Sequence, residues 1–391
     1  MGTFFLLIFS LLFIDWLTFK AISNLILNKK ISAIIIIISG PLFIILAFVF
    51  SLIIKNSNWP EYIQYRSYFI ITTTGIVLYF SKAFIALFYA FQVLKNYLFK
   101  NTKLEFLKTG FILSSAFFAL AIWGVFIGRY DFVVKNISIN NQQIPKSFNG
   151  FKIAQISDLH LGSFSNKADI EKGLKLLQEQ NPDIIIITGD IINAQPEELE
   201  EYAELFKNLH APYGKYSILG NHDMGDYRKW YDKYNSEHIK RMIDLETSLG
   251  FKVLANENVY IKKGNDSIAI AGVLNWGLPP FKPYGKISEA MSGIDNTIFC
   301  VLASHDPSQW KAQVLYKTNV DLMLSGHTHG MQMGINTAWF KWSPVQYKYP
   351  QWSGLYVENN QQLYVNQGFG TIGFNARICI RPEITLFTLN H

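Results

Sequence analysis

Histidines and carboxylates recur in short polar motifs along the second half of the chain. The last of these motifs is SGHTHG at residues 325–330, which directly follows the apolar run Val320–Leu324. Residues i and i+2 of an extended segment point to the same side, so His327 and His329 can face one site together. A histidine pair alone can also be structural, and four further motifs upstream favour a metal site.

Each of the upstream motifs also follows an apolar run. They contribute Asp158, His160, Asp190, Asn221, His222, Asp223 and His305. Loops at the carboxyl ends of strands are the usual position of a site in α/β folds. Oxygen and imidazole ligands together suit two divalent ions such as Mn, Fe or Zn. Two ions about 3.5–4 Å apart can stabilise both oxygens of an in-line phosphoryl displacement, so the set indicates phosphoester hydrolysis.

The elements that must position these motifs alternate between strands and amphipathic helices after Tyr130. The predicted strands are Phe151–Ser157, Asp183–Thr188, Lys215–Leu219, Ile268–Val273, Ile298–Ala303, Val320–Leu324, Gln362–Val365 and Ile384–Leu389. The predicted helices are Ala168–Gln180, Pro196–Leu209 and Tyr227–Leu249, and Ser138–Phe148 is a polar lead-in. This pattern predicts an α/β domain of two packed sheets with helices outside.

The ordered motifs resemble the calcineurin-like metallophosphoesterases. The matching blocks are DLH at 158–160, GD at 189–190, GNHD at 220–223, His305 and GHTH at 326–329, spread over about 170 residues. The segment ISDLHLG at 156–162 and the tail from Asn366 to Ile384 resemble a membrane-anchored bacterial branch that includes UDP-2,3-diacylglucosamine hydrolase-like enzymes. The resemblance implies a four-layer α/β/β/α sandwich.

The resemblance also implies a role for each residue of the motifs. One metal ion would be held by Asp158, His160, Asp190 and His329. Asp190 would bridge to a second ion, completed by Asn221, His305 and His327. His222 would protonate the leaving oxygen.

One position departs from the family pattern. Many members carry Asp three residues after the bridging carboxylate, where it supports the catalytic histidine, and this chain has Asn193 there. An amide accepts a hydrogen bond but cannot stabilise an imidazolium by charge. Two alternatives follow: His222 has a lower pKa than usual, or Asp223 takes the supporting role.

Residues outside the motifs receive structural interpretations. His210 and His238 are predicted to lie on the surface. Four aromatic residues near the third and fourth motifs could line the mouth of a site, although packing against a helix is the commoner use of such side chains. They are Tyr227, Trp230, Tyr231 and Trp276.

The first 128 residues differ in composition from the rest. They contain four apolar stretches, each long enough for the roughly 20 residues that a membrane span needs. The stretches are Thr3–Ile22, Ile31–Ile54, Tyr68–Leu94 and Phe106–Ile127. We therefore predict a membrane domain at 1–128, a lead-in at 129–150 and the metallophosphoesterase domain at 151–391.

Two ionisable residues lie within the predicted spans. Asp15 and Lys82 could face the interior of a helix bundle, where such residues are often functional. Alternatively Asp15 lies near the end of a span and Lys82 extends its ammonium group to the surface, which is the interpretation we favour.

The charges indicate orientation and exclude one class of partner. Residues 1–128 hold 10 Lys and Arg but 3 Asp and Glu, whereas the remainder holds 25 and 26. The near-neutral remainder gives no support to a nucleic-acid-binding face. Lysines cluster between spans one and two and between spans three and four. By the positive-inside rule these loops are cytoplasmic, and the catalytic domain of this multi-pass membrane protein lies outside.

Three functions remain open from the sequence. The first is a membrane-anchored phosphoesterase that cleaves a phosphodiester or pyrophosphate bond of a lipid-linked or glycolipid substrate, with membrane lipids as partners. The second is a broad phosphatase or phosphodiesterase for soluble substrates, in which the spans serve only as an anchor. The third is a non-catalytic metal-binding sensor, which the complete ligand set disfavours. The glycolipid reaction of the branch is cytoplasmic, in tension with the predicted orientation.

Overall fold

The computed structural model describes residues 2–25, 28–59, 61–99, 104–225, 232–277, 279, 281–337 and 339–391. The chain forms two compact units. The first comprises Met1–Phe126 with Gly373–Ala376, and the second comprises Ile127–Ile372 with Arg377–His391. The domain boundaries at 128 and 150 remain a prediction.

The first unit is built of five helices. They are α1 (Gly2–Leu25), α2 (Lys29–Ser39), α3 (Pro41–Lys55), α4 (Glu61–Phe99) and α5 (Glu105–Phe126). Four helical segments are long and apolar enough to cross a membrane: Leu6–Leu25, Lys29–Lys55, Tyr62–Phe99 and Glu105–Tyr130. The second segment is two helices because Pro41, at the first position of α3, has no backbone N–H to continue α2.

An ion pair lies in the interior of the first unit. The Lys82 ammonium group donates to Asp15 Oδ1 at 2.6 Å and to the Ser39 carbonyl at 2.6 Å. The Tyr79 hydroxyl donates to Asp15 Oδ2 at 3.0 Å. Asp15 is 3% exposed and Lys82 is 6% exposed. The interpretation that the two residues reach the surface separately is wrong, because in an apolar interior each charge needs the other as its partner.

The break between α2 and α3 makes room for this pair. Gly40 lies against the Asp15 carboxylate, and a Cβ atom at that position would overlap it. The Ser39 carbonyl precedes the break, and it accepts from Lys82. The break in the second apolar stretch therefore supplies both the space and one acceptor for the ion pair.

Removal of one member of this pair leaves the other charge buried. We expect Lys82→Met to destabilise the protein by about 3–5 kcal/mol, the usual cost of breaking a buried pair from one side. The double variant Asp15→Leu with Lys82→Met removes both charges and is expected to recover much of the loss. The melting temperature in detergent micelles measures both effects. An unchanged melting temperature for Lys82→Met would show that the pair does not stabilise the unit.

The second unit contains fourteen strands within the residues that the structure describes. They are β1 (Val133–Asn140), β2 (Lys152–Ile156), β3 (Ile184–Ile187), β4 (Lys215–Ser217), β5 (Phe251–Val253), β6 (Glu257–Lys263), β7 (Asp266–Gly272), β8 (Cys300–Ala303), β9 (Leu322–Ser325), β10 (Ile335–Asn336), β11 (Lys341–Trp342), β12 (Gly354–Glu358), β13 (Gln361–Val365) and β14 (Glu383–Asn390). One sheet has the order β1-β14-β2-β3-β4-β5, and the other has the order β12-β13-β9-β8-β7-β6. Strands β10 and β11 form a separate antiparallel hairpin.

Helices cover the outer faces of the two large sheets. They are α6 (Lys167–Gln178), α7 (Glu197–Glu200), α8 (Ala203–Lys207), α9 (Asp232–Ser248) and α10 (Ile287–Ala290). The four isoleucines of β3 are buried on both faces: Ile184 and Ile186 pack between the sheets, and Ile185 and Ile187 pack on the helix side. On the far side, β8 and β9 pack against Ala290 and Trp310. The predicted pair of packed sheets with outer helices is confirmed.

Two predicted elements differ from the structure, and a third is described only in part. Part of the predicted lead-in is strand β1, which pairs in parallel with β14 at the edge of the first sheet. An edge strand that is largely solvent-accessible reads as polar, so its sequence resembled a connection. The single helix predicted at Pro196–Leu209 is two short helices. The helix predicted at Tyr227–Leu249 is described from Asp232 onward, and 226–231 lie outside the described residues.

Candidate metal centre

Five strand ends bring the predicted motifs to one place. Strands β2, β3 and β4 are parallel neighbours in the first sheet, and β8 and β9 are parallel neighbours in the second. The carboxyl ends of parallel strands meet at one edge of a sheet, and the motifs follow directly after these ends. All seven predicted metal ligands and His222 are buried or half-buried in the second unit.

The backbone turns sharply at most of the predicted ligands. Five of them adopt left-handed conformations: Asp158 (φ 53°), His160 (φ 43°), Asp190 (φ 54°), His327 (φ 71°) and His329 (φ 51°). Each such residue costs about 1–3 kcal/mol and persists only where its surroundings hold it. Backbone hydrogen bonds between neighbouring loops do so, since Asp158 N–H donates to the Gly189 carbonyl and His160 N–H to the Asp190 carbonyl. Strain is therefore concentrated at this site.

Two glycines allow the ligand loops to approach one another. Gly189 has φ 89°, and a Cβ atom there would lie 2.6 Å from the Gly220 nitrogen. At Gly326 a Cβ atom would overlap the Ser157 hydroxyl and the Asp158 carboxylate. The loops after β2, β3, β4 and β9 can converge only because these positions lack side chains.

The first group of ligand atoms consists of Asp158, His160 and His329. The Nε2 atoms of His160 and His329 are 3.0 Å apart, and His329 Nε2 lies 3.1 Å from Asp158 Oδ1. Two imidazole nitrogens that face each other this closely can share at most one proton between them. Among the described residues, His329 Nδ1 has no hydrogen-bond partner.

The second group consists of Asp190, His305 and His327, and its carboxylate reaches a member of the first group. Asp190 Oδ2 lies 3.1 Å from His305 Nε2 and 3.7 Å from His160 Nε2. His327 Nδ1 lies 3.3 Å from His305 Nε2. The His305 Nδ1–H donates to the Thr188 carbonyl at 2.8 Å, which leaves its Nε2 atom directed into the site. Asp190 therefore lies between His160 of the first group and His305 of the second.

This donor set fits divalent cations. Carboxylate and imidazole ligands form three groups, and within each group the ligand atoms lie within 4.8 Å of one another. The groups are Asp158, His160 and His329; His160, Asp190 and His222; and Asp190, His305 and His327. Mixed oxygen and nitrogen donors are the ligands that Mn, Fe and Zn accept. A cation beside the facing nitrogens of His160 and His329 would accept both lone pairs, which a single shared proton cannot do.

Burial and neighbouring charges set the protonation of the ligands. Burial opposes ionisation of Asp190, but the imidazoles of His305 and His222 outweigh it and hold its pKa well below the usual range. Burial likewise opposes ionisation of Asp158, and His329 lowers its pKa despite that. Burial opposes protonation of His305, but the neighbouring Asp190 carboxylate and its hydrogen bond favour protonation. The net result is that the pKa of His305 is raised to about 10. The carboxylates are therefore ionised, and a cation must displace the proton from His305.

His222 borders the first group. Its ring centroid lies 4.8 Å from that of His160, and its backbone N–H donates to Asp190 Oδ1 at 2.8 Å. Its Nδ1–H donates to the main-chain carbonyl of Asn193 at 2.7 Å. Burial lowers the pKa of His222. Because His222 also lies within ligand distance of His160 and Asp190, a ligand role competes with proton transfer on geometry alone.

The two predicted supporting residues act through the backbone. Asn193 holds His222 through its carbonyl, and its side-chain amide lies 3.4 Å from His160 Nδ1 instead. The Asp223 carboxylate accepts from the N–H groups of Ile191 and Ile192 at 2.9 and 3.1 Å, and from Gly220 N–H at 2.9 Å. Burial, together with nearby Asp190, raises the pKa of Asp223 to about 7.

Glu198 is a site residue that the sequence analysis missed. Its buried carboxylate accepts from four backbone N–H groups: Gly162 (3.0 Å), Asn193 (2.6 Å), Ala194 (2.9 Å) and Gln195 (3.0 Å). It thereby fixes the turn whose carbonyl holds His222. Burial raises the pKa of Glu198 to about 7, against the lowering effect of the N–H groups. A glutamate that reaches back to N–H groups before its own helix is a known sequence signal. The Glu-rich composition of the helix predicted at Pro196–Leu209 nevertheless indicates an exposed surface.

Three other contacts were also unexpected. Tyr349 places its hydroxyl 2.8 Å from His327 Nε2. Arg377 is buried and donates to the carbonyls of Gln367 and Gly370, beside the loop that contains Asp158. His238 is buried, with Nε2 3.0 Å from the Asp223 carbonyl, so its predicted surface position is wrong.

The remaining predictions have mixed outcomes. His210 is exposed, as predicted. Trp276 is half-buried, and its role at the mouth stays a prediction. Tyr227, Trp230 and Tyr231 lie outside the described residues.

Comparison with known proteins identifies the family. Residues 151–331 match the family model described as calcineurin-like phosphoesterase. The uncharacterised metallophosphoesterase YkuE of Bacillus subtilis is 32% identical over 261 residues, which cover 64% of this chain and 83% of YkuE. The chain belongs to the calcineurin-like phosphoesterase family. Family membership implies divalent metal ions, in agreement with the donor set of the site.

Two further metallophosphoesterase relatives bear on the context of the site. A transmembrane protein with a metallophosphoesterase domain from Danio rerio is 27% identical over 278 residues, which cover 69% of this chain and 60% of that protein. The UDP-2,3-diacylglucosamine pyrophosphatase LpxG of Chlamydia trachomatis is 28% identical over 297 residues, which cover 63% of this chain and 86% of LpxG. The relatives of this chain thus include one named as a transmembrane protein and one named as a pyrophosphatase of UDP-2,3-diacylglucosamine.

The shared position of Asp190 leads to a testable difference between two carboxylates. Asp190 belongs to two of the ligand groups, whereas Asp158 belongs to one. We expect Asp190→Ala to lose both metal ions and Asp158→Ala to retain up to one. Metal content per chain after gel filtration, by plasma mass spectrometry, distinguishes the two variants. Equal metal content in both variants would contradict the shared position of Asp190.

Proposed function

We propose that this protein hydrolyses a phosphodiester or pyrophosphate bond of a lipid-linked substrate at a dinuclear metal centre. The observation that carries this proposal is the pair of ligand groups that share Asp190. Bound divalent ions supply positive charge at the phosphoryl oxygens and lower the pKa of a water molecule. Mn, Fe and Zn all suit the ligands.

We assign the ligands to two positions. Asp158, His160, Asp190 and His329 would hold one ion, and Asp190, Asn221, His305 and His327 would hold the other. The contacts of 3.1 Å and 3.7 Å from Asp190 Oδ2 to His305 and His160 support the bridging role. Asn221 is buried in the loop after β4. The residue before it, Gly220, lies against the Asp190 carboxylate.

His222 is assigned to proton transfer. Because the Asn193 carbonyl can only accept, the His222 Nδ1 must carry a proton, which leaves Nε2 as the atom that exchanges a proton with the leaving oxygen. A carbonyl orients the ring without adding negative charge. His222 is therefore a stronger acid than a histidine paired with a carboxylate.

Lipid linkage is supported from two directions. The chain has four helical segments long and apolar enough to cross a membrane. Its relatives include a transmembrane metallophosphoesterase and an enzyme named for a glycolipid pyrophosphate. The substrate class that we propose is therefore a pyrophosphate that carries a lipid. The lipid can be on the group that leaves or on the group that keeps the attacked phosphorus.

The activity assay uses full-length protein in detergent, loaded with Mn, Fe or Zn. We expect hydrolysis of a glycolipid pyrophosphate in mixed micelles to exceed that of soluble phosphodiesters, and Asp190→Ala to abolish both. Activity restricted to soluble esters would favour the broad phosphatase. Metal retention without turnover of any ester would favour a sensor.

The role of His222 predicts dependence on the leaving group. General acid catalysis contributes about 10²–10⁴-fold when the leaving group is poor. We expect His222→Ala to keep its metal ions, to lose most activity on alkyl phosphoesters, and to lose far less on nitrophenyl esters. Comparison of kcat on matched ester pairs measures the difference. Equal losses would indicate that His222 positions the phosphate, and loss of metal would make it a ligand.

We further propose a multi-pass topology with the catalytic unit outside the cytoplasm. Lysines cluster between the first two predicted spans and again between the last two, and both clusters support this orientation through the positive-inside rule. They are Lys20, Lys29 and Lys30, and Lys95, Lys100, Lys103 and Lys108. A C-terminal alkaline phosphatase fusion is expected to be active, and a fluorescent reporter that matures only in the cytoplasm is expected to be dark. The opposite pair of results would place the site inside and favour a cytoplasmic glycolipid substrate.

A further inference from the structure

Large apolar side chains are exposed in one segment of the second unit, 331–347. Trp339 is 96% exposed, Tyr347 is 81% exposed and Phe340 is 56% exposed. Of the ten large apolar side chains that are exposed in the described part of this unit, five lie in this segment; the other two are Met331 and Ile335. A cluster of this kind in one short segment marks an interaction surface more often than a stable solvent-facing surface.

The segment is ordered by hydrogen bonds. Strands β10 and β11 pair through Ile335 and Trp342. At the tip, Thr337 N–H donates to the Phe340 carbonyl at 3.0 Å, and Phe340 N–H donates to the Thr337 hydroxyl at 3.0 Å. The Asn336 amide donates to the Ser353 hydroxyl at 3.0 Å. These hydrogen bonds hold the backbone at Thr337 and Phe340, beside Trp339.

The charged side chains in the segment and in the seven residues after it are all positive. Residues 331–354 contain two lysines, Lys341 and Lys348, and no acidic residue. The Lys341 ammonium group lies 4.9 Å from the Trp352 ring, and that of Lys348 lies 5.3 Å from the Tyr349 ring. Tryptophan and tyrosine with flanking lysine are the residues that favour the headgroup region of a bilayer. Positive charge without acidic neighbours also complements anionic lipids.

The hairpin is tied to the ligand loop of the metal centre. The Ser343 hydroxyl donates to the carbonyl of Gly330, the residue after His329, at 2.8 Å. The Thr328 hydroxyl donates to the Trp352 carbonyl at 2.7 Å. Tyr349 contacts His327 directly. The chain around the hairpin therefore holds the loop that contains two of the proposed ligands.

We propose that the β10–β11 hairpin inserts Trp339 and Phe340 into the lipid–water interface of a bilayer and so presents the metal centre to lipid-linked phosphoesters. The proposal rests on the proposed function for its substrate. A bilayer is the favoured occupant because the same chain carries helices suited to a membrane, which raises the local concentration of lipid at the hairpin. The lysines and the lack of acidic residues add charge complementarity.

The first test locates the hairpin tip. Full-length Trp339→Cys, in a Cys379→Ser background to remove the exposed native thiol, is labelled with an environment-sensitive fluorophore and reconstituted into phosphatidylglycerol-containing nanodiscs. Tyr260→Cys, at an exposed position on β6, is the matched control. We expect doxyl-labelled lipids to quench the label at 339 and not the label at 260. Equal, weak quenching at both positions would overturn the proposal.

The second test separates insertion from the chemistry. We expect Trp339→Ser with Phe340→Ser to raise KM for a lipid-linked pyrophosphate by about tenfold, because less apolar surface enters the bilayer, while kcat/KM for a soluble nitrophenyl ester is unchanged. Loss of both activities would overturn the proposal by making the hairpin part of the catalytic fold. If wild-type protein does not hydrolyse the lipid, the proposed substrate fails but the quenching result still decides insertion. Disulfide-linked dimers of Trp339→Cys without lipid quenching would identify a second copy as the occupant, against the proposal.

Discussion

The Asp190 carboxylate is the point at which the two sheets of the catalytic unit depend on each other. Asp190 lies in the loop after strand β3 of the first sheet, and His305, in the loop after β8 of the second sheet, lies 3.1 Å away. A buried carboxylate without compensating positive charge is costly. The carboxyl ends of β3 and β8 must therefore lie next to each other, so that the two side chains can meet. The packing of isoleucine, valine and leucine between the sheets holds the strand ends in that register.

Left-handed backbone conformations and side chains that could bind a metal ion occur together at this site. Left-handed residues are unfavourable, so the backbone of the ligand loops does not improve the stability of the metal-free protein. The Asp15–Lys82 pair shows the opposite arrangement, in which each charge has a partner at 2.6 Å and Tyr79 completes the carboxylate. One buried cluster of charge is complete within the protein, and the other is arranged to receive cations.

The support of His222 illustrates how a substitution changes the electrostatics of a site while its geometry is preserved. With an amide at Asn193, the ring is held by a main-chain carbonyl, and the carbonyl is positioned by Glu198 through the N–H of the same residue. Asp223, the other acidic neighbour, is occupied by three backbone N–H groups. Glu198 is therefore one step removed from His222, joined to it through the backbone of Asn193.

Much of this protein could be predicted from local sequence. The strand-end motifs, the apolar spans and the order of α and β elements follow from periodicity and residue type, because burial on both faces, as in Ile184–Ile187, leaves a continuous apolar run. Which atoms meet could not be predicted, because contacts such as Lys82 with Asp15 or Glu198 with Asn193 depend on how separate elements pack. The same holds for β1, whose polar sequence becomes a strand only because β14 supplies a partner. Sequence thus determined the chemistry available, and tertiary packing decided which groups face one another, since hydrogen bonds and ion pairs depend on distances that no local pattern encodes.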